Sequence, residues 1–194
     1  MTGRTDFDNV VRLADHRWRR PQRPRTRMQC SLALLEPAQR DAVFGLLDTF
    51  APLAADFWSV HARPWPACGS EVGRLPVRGT PLADVEGEAL VTLCLEAGYT
   101  IGTAAAFKAV LPHFLAAAFA WPLESWIIDP DLLKAKLETL NFETWPAAER
   151  RVVAYALALY AAHEIAMAEG GPGAEDEALV ATKAWAELAL ATAN

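Results

Sequence analysis

The sequence predicts an all-α protein, and three observations carry that prediction. Alanine is plentiful and runs of β-branched residues are scarce, a balance that favours helix over sheet. Apolar residues recur at helical spacing in segment after segment. Threonine, aspartate and proline stand where helices would start, and glycine where they would stop. With 194 residues, 53% of them hydrophobic, the chain can build a real core, and a wholly disordered chain is excluded. The expected architecture is a single irregular or HEAT-like domain of seven to eight helices at 28–194, preceded by an arginine-rich arm at 1–27.

The elements follow in chain order. Residues 5–19 form a short amphipathic helix, with Phe7, Val10, Val11, Ala14 and Trp18 on one face. The prolines of "RRPQRPRTR" then favour extended chain, so the helix reads as a docking element on a tether. Pro37 opens the next helix, with Val43, Leu46, Leu47 and Phe50 on its apolar side; Pro52 interrupts it, and Leu53, Phe57 and Val60 continue. Residues 62–79 are a long loop rich in proline and glycine, the best candidate for a lid or binding loop. Thr80 and Pro81 start a helix that ends at Gly98. A further helix spans about Thr103 to Ala120, Asp129-Pro130 caps a short one, and a long helix over 146–169 ends at Gly170 and Gly171. The last helix follows "GGPG". Trp65-Pro66, Trp121-Pro122 and Trp145-Pro146 mark element boundaries, because the residue before proline avoids helix. Their tryptophans are placed to pin helix ends onto neighbours.

Charge is unevenly spread. Eight arginines against three aspartates give residues 1–27 a net charge of +5, so the rest of this −6 chain carries −11. Such an arm can meet a polyanion, a partner or its own acidic body. Three cysteines (Cys30, Cys68, Cys94) without CxxC spacing suggest a reducing compartment and no zinc site. The N-terminus lacks the apolar stretch of a signal peptide, and the expected location is cytoplasmic. No membrane span is expected either. The longest charge-free run, Ala109 to Leu123, has 15 residues, short of the roughly 20 that a span needs.

Residues 103–120 are therefore a core helix, apolar nearly all round. Gly102, Ala106, Ala109, Ala116, Ala117 and Ala120 fall within about 60° of His113 on the helical wheel, a stripe that lets another helix approach closely. His113 either fills a gap and bonds a neighbouring carbonyl, or stands in a crevice floored by alanines that binds a ligand or moves a proton. Pro112 removes a backbone donor and crowds the carbonyl of Lys108, which predicts a kink beside that crevice. His113 and Lys108 are the candidate ligand-binding residues.

Other motifs carry less chemistry. His163-Glu164 begins like the zinc pattern HExxH, but Met167 replaces the second histidine and three converging ligands are not supplied. Cys68 follows His61 by seven residues, a spacing that does not by itself activate a thiol. Cys94 sits among leucines and reads as core. There is no P-loop, GxGxxG or GxSxG, and no cofactor is implied.

Phe107, Leu111-Pro112 with Phe114, Leu133, Leu137, Trp145-Pro146 and Glu149 together resemble a pattern in an uncharacterised family of bacterial all-helical proteins. That pattern is an apolar-Leu-Pro helix, a short helix and a Trp-Pro-x-x-Glu helix start, and it covers about residues 107–160. A basic residue often follows its Leu-Pro, where this chain has His113. The resemblance implies a helical fold and no activity.

The functional expectation is a non-enzymatic protein-interaction module, an adaptor, regulator or immunity-type protein, using Phe7, Val10, Val11, Trp18, Arg19, Arg20, Arg23 and Arg25. One alternative is a small-molecule-binding or enzymatic helical protein using the His113 crevice. Another is an anionic-polymer binder, with residues 17–27 on nucleic acid and Trp18 stacking on a base.

Overall fold

The computed structural model describes residues 26–55, 57–61, 79–85, 87–99, 101–121, 130–168 and 177–192. Among them are eight α-helices: α1 Arg27–Leu34, α2 Pro37–Ala54, α3 Phe57–His61, α4 Gly87–Glu96, α5 Ala104–Ala120, α6 Pro130–Thr139, α7 Ala147–Ala168 and α8 Glu177–Thr192. Two single 3₁₀ turns, Leu82–Asp84 and Phe142–Thr144, complete the set. The fold is all-α. Its nearest approach to sheet among the described residues is an isolated bridge between Ala97 and Ile101. The amphipathic stretch at 5–19 and loop residues 62–78 lie outside the described residues.

The helix at the centre is α5. Thr103 caps it, its hydroxyl accepting from the Ala105 amide at 3.3 Å. Thirteen of its 17 residues are buried, from Ala106 to Phe119 with only Lys108 left out. The helix runs unbroken through Pro112. At about 1.5 Å per residue α5 is some 26 Å long, and no helix among the described residues is long and apolar enough to cross a membrane.

The helices at 104–120 and 147–168 are joined largely through a third helix. α2 packs against both α5 and α7, while α1 and α4 cover other sides of α5 and α8 lies along α7. The apolar face of α2 is Val43, Leu46 and Phe50, all buried, with Leu47 half-buried. Direct contacts between α5 and α7 include an aromatic cluster. Tyr160 meets Phe114 and Phe119 edge-on, with centroids 6.3 and 5.9 Å apart.

Caps define where the chain turns. Thr26 and Gln29 form a reciprocal capping box, so Thr26 and Arg27 belong to α1, a helix not expected from the sequence, instead of to the arm at 1–27. Arg40 closes the other end of α1, donating to the Leu32 carbonyl at 3.1 Å and the Leu35 carbonyl at 2.8 Å. Pro52 does not interrupt α2. It stands in the last turn, where only one backbone bond is lost, and the helix continues to Ala54. Thr80 and Pro81 do not start a long helix. Leu82 and Val85 both bury, and the extended backbone at Val85 ends the turn after Asp84, so α4 begins only at Gly87.

Two glycines show how tightly these elements meet. Gly98 follows α4 with φ +89°, a left-handed conformation that side chains rarely adopt, and a Cβ there would stand 2.8 Å from Leu140 Cδ2. Gly45, inside α2, has room, its virtual Cβ lying 4.0 Å from Val152 Cγ1 on α7. Gly98→Ala is expected to cost about 1–3 kcal/mol through backbone strain and collision. Gly45→Ala should gain about 0.5–1 kcal/mol from helix propensity. Urea unfolding at neutral pH measures both, and equal effects, or a stabilised Gly98→Ala, would contradict this packing.

Candidate functional site

The site forms where α5 meets the end of α2, the short helix α3 and the segment at 79–83. Phe57 is 2% exposed and anchors α3 to the core. Its neighbour Trp58 stands edge-on to it, with ring centroids 5.2 Å apart and planes at 88°. The Trp58 indole Nε1 donates to the Thr80 carbonyl at 2.6 Å, which ties α3 to the 79–83 segment. Between them opens a cleft of about 500 Å³. One side consists of Ala54, Phe57, Trp58 and Ser59, the other of Gly79, Pro81, Leu82 and Ala83. From α5 the cleft takes one residue, His113.

The alanine floor expected for this crevice is not there. Ala106, Ala109, Ala116 and Ala117 are buried by the helices packed on α5, because small side chains let backbones approach until no space is left. The aromatic walls come from α3. His113 itself is 8% exposed, and its Nδ1 has no hydrogen-bond partner among the described residues, so it does not bond a neighbouring carbonyl through that atom. Burial pulls its pKa down to about 4, because the charged ring would lose its hydration. The ring is neutral at pH 7, where a general acid or base works best with a pKa near that pH. The arrangement suits hydrogen bonding to a bound molecule better than proton transfer.

Lys108 does not line this cleft. Its Nζ lies 2.5 Å from Glu149 Oε2 and 4.0 Å from the centre of the Trp145 ring. Trp145 in turn donates its Nε1 to the Leu140 carbonyl at 3.0 Å, pinning the end of α6. The Trp145-Pro146-x-x-Glu149 segment thus supplies an aromatic face and a carboxylate to one ammonium.

The sequence reading missed Lys136, which is 3% exposed. Its Nζ donates to the Leu95 carbonyl at 2.6 Å, near the C-terminus of α4, and lies 3.8 Å from the centre of the Tyr99 ring. Desolvation pulls its pKa down to about 8, against the opposing pull of Cys94 and Glu96. The Cys94 thiol is pushed up to about 12 by burial, so it is an inert core group.

The remaining candidates separate cleanly. His163 is half-buried, and Gln39 Nε2 donates to its Nδ1 at 3.2 Å, while the same side chain's Oε1 accepts from the Glu36 amide at 3.1 Å. Burial lowers the His163 pKa, and its ring meets Phe119 edge-on, which is a packing role. Among the described residues, no group of three or more His, Cys, Asp or Glu could hold a metal ion. Phe7, Val10, Val11, Trp18, Arg19, Arg20, Arg23 and Arg25 lie outside the described residues, as does Cys68. A second depression of about 180 Å³ joins Phe142, Trp185 and Leu188 with Glu138, Glu143 and Arg150. The Phe142 and Trp185 rings are 5.4 Å apart there.

Comparison with protein-family models, with curated proteins and with solved structures finds no match to this chain.

Lys136 gives a pH signature. The folded chain releases its proton near pH 8 and the unfolded chain near 10.5, so between those values the unfolded state binds more protons and stability rises with pH. Cys94 acts in the opposite sense once an unfolded thiol ionises near pH 9. From pH 8 to 9 the wild type should gain roughly 1 kcal/mol relative to Lys136→Met. Parallel denaturation midpoints for the two proteins across that interval would contradict the buried ammonium.

Proposed function

We propose that this protein binds a small molecule in the cleft at His113. The observation that carries the reading is a buried histidine with an unpartnered Nδ1, the one α5 residue that reaches an aromatic-walled cleft whose other described lining residues are apolar apart from Ser59. Ligand sites are concave and mostly apolar with a few placed polar groups, and a volume of about 500 Å³ lies within their usual range of roughly 300–1,000 Å³. The neutral ring favours binding over catalysis.

Indole titration of the full chain, followed through the His113 ring ¹H–¹³C correlation, tests this. Saturable shifts are expected. Ser59→Trp places bulk in the cleft from an exposed position, and it should abolish them without changing the fold. Shifts that never saturate, or that persist in Ser59→Trp, would contradict the proposal.

A second reading keeps the protein-interaction module. It is favoured by the 180 Å³ depression on α8, where Leu188 is 63% exposed beside Trp185. On this reading the α8 surface and the basic segment at 1–25 engage one partner, with an adaptor, regulator or immunity-type role, and a nucleic-acid contact at 17–27 is the variant that predicts steep salt dependence. The HEAT-like stacking, the cytoplasmic setting and the likeness to the bacterial helical family belong to the same proposal. Stoichiometric recovery of one partner from host extract by the wild type, lost in Leu188→Asp, supports it; equal recovery by both counts against it.

A further inference from the structure

The chemistry of the cleft narrows its occupant. Among the described residues that line it, none carries a formal charge at neutral pH. An ion moved into such a site surrenders hydration and gains no counter-charge. Among the described residues, the lysines that rest on aromatic rings have an oxygen partner as well: Lys108 has Glu149, and Lys136 has the Leu95 carbonyl. Among its described lining residues the cleft offers a cation two aromatic rings but no carboxylate. An anion fares no better, because Ala54 ends α2 at the cleft and helix C-termini carry partial negative charge.

What the described lining does offer is shape, one polar ring and the Ser59 side chain, which is already engaged elsewhere. Phe57 and Trp58 meet at nearly a right angle, giving a flat ring both a face and an edge to pack against. The bond from Trp58 to Thr80 fixes that wall before anything binds, which lowers the ordering cost of association. His113 is more than nine-tenths buried and its Nδ1 is unbonded among the described residues. That Nδ1 is sealed from solvent, and no partner on it dictates which nitrogen holds the proton, so the ring's other nitrogen, Nε2, can donate to or accept from a hydroxyl.

We infer that the cleft selects an uncharged aromatic molecule bearing a hydroxyl, with its ring on Phe57 and Trp58 and its hydroxyl on His113. This rests on the proposed ligand-binding role of the same cleft. The low proton affinity of His113 is consistent with it, since the ring stays neutral throughout the physiological range.

Four probes of nearly equal size separate the terms: benzyl alcohol, toluene, benzoate and benzylammonium, each titrated at pH 7 into the full chain and read from the His113 ring resonances. Benzyl alcohol should bind at least about tenfold more tightly than either ion, a margin equal to one factor of ten in affinity. It should also bind more tightly than toluene, and His113→Leu should erase the preference over toluene while leaving toluene bound. If His113→Leu fails to fold, the comparison of the four probes on the wild type still decides. Benzoate or benzylammonium binding as tightly as the alcohol overturns this inference and leaves the cleft as a ligand site. If none of the four binds, and indole does not bind either, both this inference and the proposed function fall.

Discussion

A helix buried on every side must settle each polar group that it carries into the core, and α5 carries three exceptions to its apolar pattern. Each is settled differently. Lys108 keeps its charge, because Glu149 and the Trp145 ring come to it from the segment that opens α7. Pro112 has no amide donor to satisfy, so its position inside α5 leaves only the carbonyl of Lys108 without its usual helical partner. His113 gives up its charge instead and keeps a ring edge on a cleft. Of the three, only His113 keeps a buried polar atom without a partner among the described residues, and giving up its charge limits that cost.

The same economy runs through the neighbouring elements. Gln39 serves as a cap for α2 and as the donor to His163 on α7, so one amide joins a helix start to an interhelical contact. Arg40 spends its guanidinium on the open carbonyls at the end of α1. Lys136 does the same for α4. Several charged side chains of the body thus serve the fold, which leaves the cleft at His113, uncharged in its described lining, as the proposed site.

Much of the architecture was legible because helix periodicity and end signals act locally. Thr103, Gly98 and Pro130 mark their helix ends as expected. What escaped the sequence depends on contacts between distant residues. α1 has only Met28 and Ser31 buried, so its periodicity is faint, although its Thr-x-x-Gln box was readable. Lys136 looks like any exposed lysine in "DLLKAKLETL"; only the arrival of Tyr99 and Leu95 buries it. His113 was found from its apolar surroundings. Its walls were assigned to the wrong residues, because a helical wheel shows which face a residue occupies and not what packs against that face.

The central claim is that burial on α5 holds His113 neutral beside the cleft. The ¹³Cε1 chemical shift of His113, followed from pH 7.5 down to 4 in the folded protein, tests it directly. A ring that stays neutral past pH 5.5 and titrates near 4 is the predicted result. A midpoint at or above the ordinary histidine value of about 6.5 would mean that water or a counter-charge already reaches the ring, and would contradict the account.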